Sequence, residues 1–67
     1  MNKLLELQLA TIAARSRTGD QSIATSAAND TIRIERVVYG AGGKSMVTPL
    51  SKALPFDAAV KALNALN

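Results

Sequence analysis

A chain of 67 residues with neither cysteine nor histidine has no disulfide and no Cys/His metal site to hold it together. Domains this short bury a small share of their surface and lean on such staples or on a partner subunit. The apolar inventory is also thin: twelve residues are alanine, and twenty large apolar side chains remain to close a core. Association is the device left. Residues 1–67 are therefore expected to form one small α+β domain completed by homo-oligomerisation. The same absences remove Ser-His-Asp, Cys-His and imidazole acid–base chemistry, so no enzyme and no cofactor is expected.

Eight basic residues face five acidic ones, a net charge of +3. Such a balance suits an anionic partner without the dense Lys/Arg face and aromatics of a dedicated nucleic-acid binder. The opening MNKLLELQLATIAA resembles a signal peptide in its Lys3 and leucines, but Glu6 and Gln8 interrupt the apolar stretch. No run approaches the ~18 apolar residues of a membrane span. A cytoplasmic chain with no membrane partner is expected, and with its initial Met it reads as a complete small open reading frame. Asn29-Asp30-Thr31 matches a glycosylation sequon, which carries no meaning without secretion.

Residues 3–17, KLLELQLATIAARSR, are rich in good helix formers. Arg15 and Arg17 suit the dipole of the last turn, and Gly19 suits a C-terminal cap. At ~100° per residue, Leu5, Leu9, Ile12 and Ala13 form one apolar stripe, while Leu4, Leu7 and Ala14 form another on nearly the opposite side. A helix lying on a small monomer needs one stripe. The pattern therefore assigns Leu4, Leu7 and Ala14 to an oligomer or partner interface, the alternative being contact with the end of the same core.

Residues 19–30, GDQSIATSAAND, read mostly as loop, although Ile23 and the neighbouring alanines would fit a short strand or a helical turn. TIRIERVVY at 31–39 is the clearest strand, with Ile32 and Ile34 alternating against Arg33 and Glu35. The alternation slips at Arg36, which calls for a bulge at Arg36–Val37 or for two partly covered faces. GAGG at 40–43 predicts a turn with positive φ, and KSMVTPL at 44–50 the returning strand. Pro49 marks that strand as an edge or ends it. PFDAAVKALNALN predicts a helix from about Asp57, a residue suited to the N-cap or first turn, with Phe56, Ala59, Val60, Leu63 and Leu66 on one stripe. The expected order is helix, loop, β-hairpin, helix.

Gly42-Gly43-Lys44-Ser45 invites a phosphate-loop reading, but Val38 stands where a Walker A motif needs its first glycine, and the loop joins two strands. An anion-binding nest of backbone N–H groups survives as the weaker reading. Arg33, Arg36 and Lys44, with Tyr39 for stacking and the backbone of Gly40, Gly42 and Gly43, form the candidate ligand site. The plainer alternative is a solvated face with Arg36 snorkelling from the core rim. Asp20, Asp30, Glu35 and Asp57 are scattered, with no spacing for a metal cage or an acid/base pair. Thr11 and Ser16 lack an activating base.

Two functions follow as expectations. The first is a non-catalytic homo-oligomer that captures an anionic, nucleotide-like ligand or nucleic acid. The second is a protein-binding inhibitor or adaptor that uses the leucine stripe of the first helix, a role that suits a phage or mobile-element accessory protein.

Overall fold

The computed structural model describes residues 2–67. The first helix, α1, spans Lys3–Thr18. Asn2 caps it, its Oδ1 accepting from the N–H groups of Leu4 (2.8 Å) and Leu5 (3.4 Å). Gly19 ends it in the left-handed region at φ 72°, donating its N–H to the Arg15 carbonyl. An Asx turn redirects the chain: Asp20 Oδ1 accepts from the Ser22 N–H at 2.9 Å and from its hydroxyl.

The segment expected to be mostly loop holds a strand instead. β1 spans Ile23–Ala28 and pairs antiparallel with β2, Thr31–Tyr39. Asn29 and Asp30, both at positive φ (51° and 63°), join them in a two-residue turn of the I′ kind. The local match to a sequon is thus the chemistry of a hairpin turn. Alternation is hard to read in IATSAA because both faces of the strand carry small side chains.

β2 continues into a second hairpin. The chain turns through a single 3₁₀ turn at Ala41–Gly43, with Gly42 and Gly43 at φ 76° and 77°, and returns as β3, Ser45–Pro49. The expected glycine turn and returning strand are both present. A short β4, Leu54–Pro55, then pairs with the start of β2. β2 alternates strictly and has no bulge at Arg36–Val37; Arg36 stays on the face of Ile32 and Ile34, and both faces are partly covered, with Glu35 buried and Val37 half-buried on the other. Glu35 faces Pro49 and Ile32 faces Leu54, so three steps along β2 match five along its neighbour. The extra length lies at 50–53, where the Leu50 and Ser51 N–H groups donate to the Ile34 carbonyl and the Ser51 hydroxyl accepts from the Ile34 N–H.

The second helix, α2, spans Phe56–Ala65. Asp57 lies in its first turn, and Pro55 is its N-cap, with no side-chain capping bond. Ala59 and Leu63 are fully buried, with Phe56, Val60 and Leu66 partly buried beside them, as the predicted stripe requires. Both helices cover one face of the sheet. The core gathers Leu7, Ala10 and Ala14 of α1, Ile23, Ile32 and Ile34 of the sheet, and Ala59 and Leu63 of α2. Arg17 ties the helices together by donating to the C-terminal carbonyls of α2, at 2.6 Å to Leu63 and 3.0 Å to Leu66. No helix among the described residues is long and apolar enough to cross a membrane.

Three alanines among eight core residues make a shallow interior. They also let α1 approach the sheet closely, which decides its orientation. Leu7, Ala10, Thr11 and Ala14 follow the i, i+3, i+4, i+7 pattern of one helix face and are buried. The Thr11 hydroxyl is satisfied within the helix by the Leu7 carbonyl at 2.8 Å. The larger stripe of Leu5, Leu9 and Ile12 points away from the core.

Candidate functional site

The expected ligand residues do not converge. Arg33 and Arg36 are an odd number of positions apart on β2, so their side chains leave opposite faces of the sheet. Arg33 folds onto Glu35, with Nε at 2.7 Å and Nη2 at 2.5 Å from Oε2. Glu35 is 6% exposed, so Arg33 is the counter-charge of a buried carboxylate and not the decoration of a solvated face. Arg36 binds Asp20 through Nη2 at 2.9 Å and Nε at 3.2 Å, both to Oδ2. The two Ser22 hydrogen bonds, and after them Arg36, lower the Asp20 pKa from 3.8 to about 2. This clamp fastens the exit of α1 to the middle of β2.

Tyr39 is 76% exposed at the end of β2, six residues from Arg33, or about 20 Å along an extended strand. Gly40, Gly42, Gly43 and Lys44 are exposed around the turn, where the Gly40 N–H donates to the Lys44 carbonyl at 2.7 Å. Tyr39 and Lys44 thus share the hairpin tip, away from both arginines. Two open depressions, of about 480 Å³ and about 370 Å³, are lined by none of the ligand residues singled out from the sequence, and a smaller one of about 150 Å³ is lined by Arg33 alone of them. No group of three or more metal-ligating side chains gathers among the described residues.

The interface residues are corrected in the same way. Leu7 (5% exposed) and Ala14 (0%) belong to the core of the chain itself, and Leu4 alone of the expected three is available to a partner. The apolar face that α1 presents outward is Leu5, Leu9 and Ile12, at 48%, 52% and 57% exposure, while Leu4, 63% exposed, lies on a different side of the first turn. Burial of the alanine-rich face leaves the bulkier side chains outside. The signal that separates the two faces is present in the sequence: Ala10 and Thr11 share the angular sector of Leu7 and Ala14, and Thr11 escapes notice because it is polar.

Further exposed apolar side chains, spread over both faces of the sheet, were not singled out from the sequence. β1 ends opposite Arg36, so the β2–β3 hairpin runs on as a two-stranded arm. Val38, Tyr39, Met46 and Val47 of the arm, and Leu50 after it, are exposed. Between α1 and β1 runs the depression of about 370 Å³, lined by Gln8, Thr11, Ile12, Arg15, Ala24 and Thr25. Ile12 joins this groove to the outer face of α1. Compared with known proteins, the chain matches no family model, and no curated protein or solved structure is detectably similar to it.

Proposed function

We propose that this chain is a non-catalytic protein-binding protein that engages its partner through the outer face of α1. The observation that carries this reading is the exposure of three large aliphatic side chains, Leu5, Leu9 and Ile12, in one row on a helix of a chain whose own core is shallow. A groove-binding helix is read through anchors at this kind of spacing. Full burial of a Leu or Ile is worth ~1.5–3 kcal/mol. Three such side chains, each about half exposed, therefore hold roughly 2–5 kcal/mol of unused burial.

Capture of an anionic ligand is the weaker reading. Its two arginines are already neutralised by Glu35 and Asp20, and Tyr39 and Lys44 are what it retains.

The test is retention of protein partners by immobilised wild-type chain, by Leu9→Asp and by Leu5→Asp, with circular dichroism to confirm that each variant is folded. Both side chains point away from the core, so the fold is expected to persist while retention is lost. Retention unchanged in both folded variants overturns the reading.

A further inference from the structure

We infer that the free edge of β1 and the outer face of α1 form one self-complementary surface that takes a second copy of this chain, the two β1 strands pairing antiparallel so that the sheet runs on across a two-fold axis. The inference rests on the reading of α1 as a protein-binding face and names the occupant of that face.

The backbone supplies the first argument. The Val37 N–H donates to the Ser22 carbonyl at 2.9 Å, which makes residues 22 and 37 a hydrogen-bonded pair. Alternation along the ladder then turns the N–H and C=O groups of Ile23, Thr25 and Ala27 outward, away from β2. The Ile23 carbonyl is occupied by Arg15 Nε at 2.7 Å. Thr25 and Ala27 keep both outward groups free for another strand.

The two edges of the sheet differ in their protection. Edge strands are ordinarily blunted by charge, proline, bulges or brevity. On the far side, Pro49 sits where the N–H would point off the sheet, Lys44 and Lys52 flank β3, and residues 50–53 break the run before β4. β1 itself has none of these devices: IATSAA is uncharged, contains no proline and keeps unbroken register, and the Arg15 guanidinium covers only its Ile23 end.

Self-complementarity identifies the occupant. An isologous contact places each patch against its own copy, so like charges near the axis oppose it. Neither β1 nor the Leu5, Leu9, Ile12 row of α1 carries a charge, and Arg15, the cation beside this edge, is held at its Ile23 end, off the axis of a pairing centred on Thr25–Ala27. A two-fold axis normal to the sheet keeps both copies of α1 on the same side of the continuous sheet. The groove that an incoming strand would fill is walled on the helix side by Gln8, Thr11, Ile12 and Arg15, and the Thr and Ala side chains of a second β1 suit its shallow form.

The experiment is light scattering after size exclusion on the full chain, dilute and concentrated, for wild type, Leu9→Asp, Thr25→Pro and Val47→Lys. Proline at Thr25 removes an N–H that no intrachain bond uses, and the Val47 variant loads the protected edge. Expected are a mass of twice the chain for wild type and Val47→Lys, and the single-chain mass for Leu9→Asp and Thr25→Pro. Amide exchange at Thr25 supplies a readout independent of the proline variant: slow in the wild-type dimer, fast in Leu9→Asp. A wild-type dimer dissociated by Leu9→Asp but not by Thr25→Pro, with Thr25 exchanging fast, overturns the edge pairing and leaves the α1 reading standing. A wild type of single-chain mass at every concentration overturns the second copy as occupant, and retention of another protein then decides the α1 reading separately.

Discussion

Leu7 and Leu9 are two positions apart on α1, chemically identical, and assigned opposite fates. Leu7 is 5% exposed and packs in the core, and Leu9 is 52% exposed on the outer face. Truncating a buried leucine to alanine costs ~2–5 kcal/mol, the sum of lost transfer energy and the cavity left behind. A domain of this length has a total stability of roughly 3–10 kcal/mol at ~0.05–0.15 kcal/mol per residue. Leu7→Ala therefore removes a large part of it. Leu9→Ala removes contacts only along the helix surface and is expected within about 0.5 kcal/mol of wild type. The assay is urea unfolding followed by circular dichroism, at concentrations dilute enough that the midpoint no longer depends on concentration. In concentrated samples the Leu9 variant is expected to lose the extra stability that association confers on wild type. Equal losses in the dilute samples, or a larger loss for Leu9→Ala, would refute the assignment of the two faces.

Three further outcomes follow from the polar contacts. Arg33→Ala leaves the Glu35 carboxylate buried and unpaired, at a cost of ~1–3 kcal/mol; the lower half of that range is expected because Arg33 is 47% exposed, and unfolding of Arg33→Ala and of Arg33→Ala with Glu35→Ala should show the double variant recovering part of the loss. Arg17→Met frees two carbonyls at the end of α2 and is expected to cost about 1 kcal/mol, with amide exchange accelerated in the last turn of α2 and unchanged in β2. Because the Asp20 pKa is lowered to about 2, the unfolded chain binds the proton more readily, so the clamp contributes stability above the ordinary carboxylate range and loses it as pH falls from about 4 through 2; the difference in melting temperature between wild type and Asp20→Asn should be present at neutral pH and vanish below pH 2.

The α+β class, both helices, the strand at 31–39, the glycine turn and the edge position of Pro49 are legible in the sequence because each rests on a local rule. Helix formers with an apolar period give α1 and α2, and glycines at positive φ give the turn. β1 escapes because Ile23, Thr25 and Ala27 face the helices while Ala24, Ser26 and Ala28 face away, a pattern in which period two barely changes polarity. The face of α1 is misassigned for a related reason: counting large side chains favours Leu5, Leu9 and Ile12, whereas close helix–sheet approach selects alanine. The arginine cluster dissolves on parity alone, since a spacing of three on a strand divides Arg33 from Arg36. Their partners lie beyond any pattern rule, because Asp20 reaches Arg36 only once α1, its exit turn and β2 have come together.

The most direct test of the account is methyl NMR of the leucines and isoleucines with a soluble paramagnetic agent, in dilute and concentrated samples. The Leu5, Leu9 and Ile12 methyls are expected to broaden in the dilute chain and become shielded on concentration, while Leu7, Ile34 and Leu63 stay shielded throughout. Outer-face methyls that remain accessible at every concentration, or a Leu7 methyl that is accessible in the dilute chain, would contradict it.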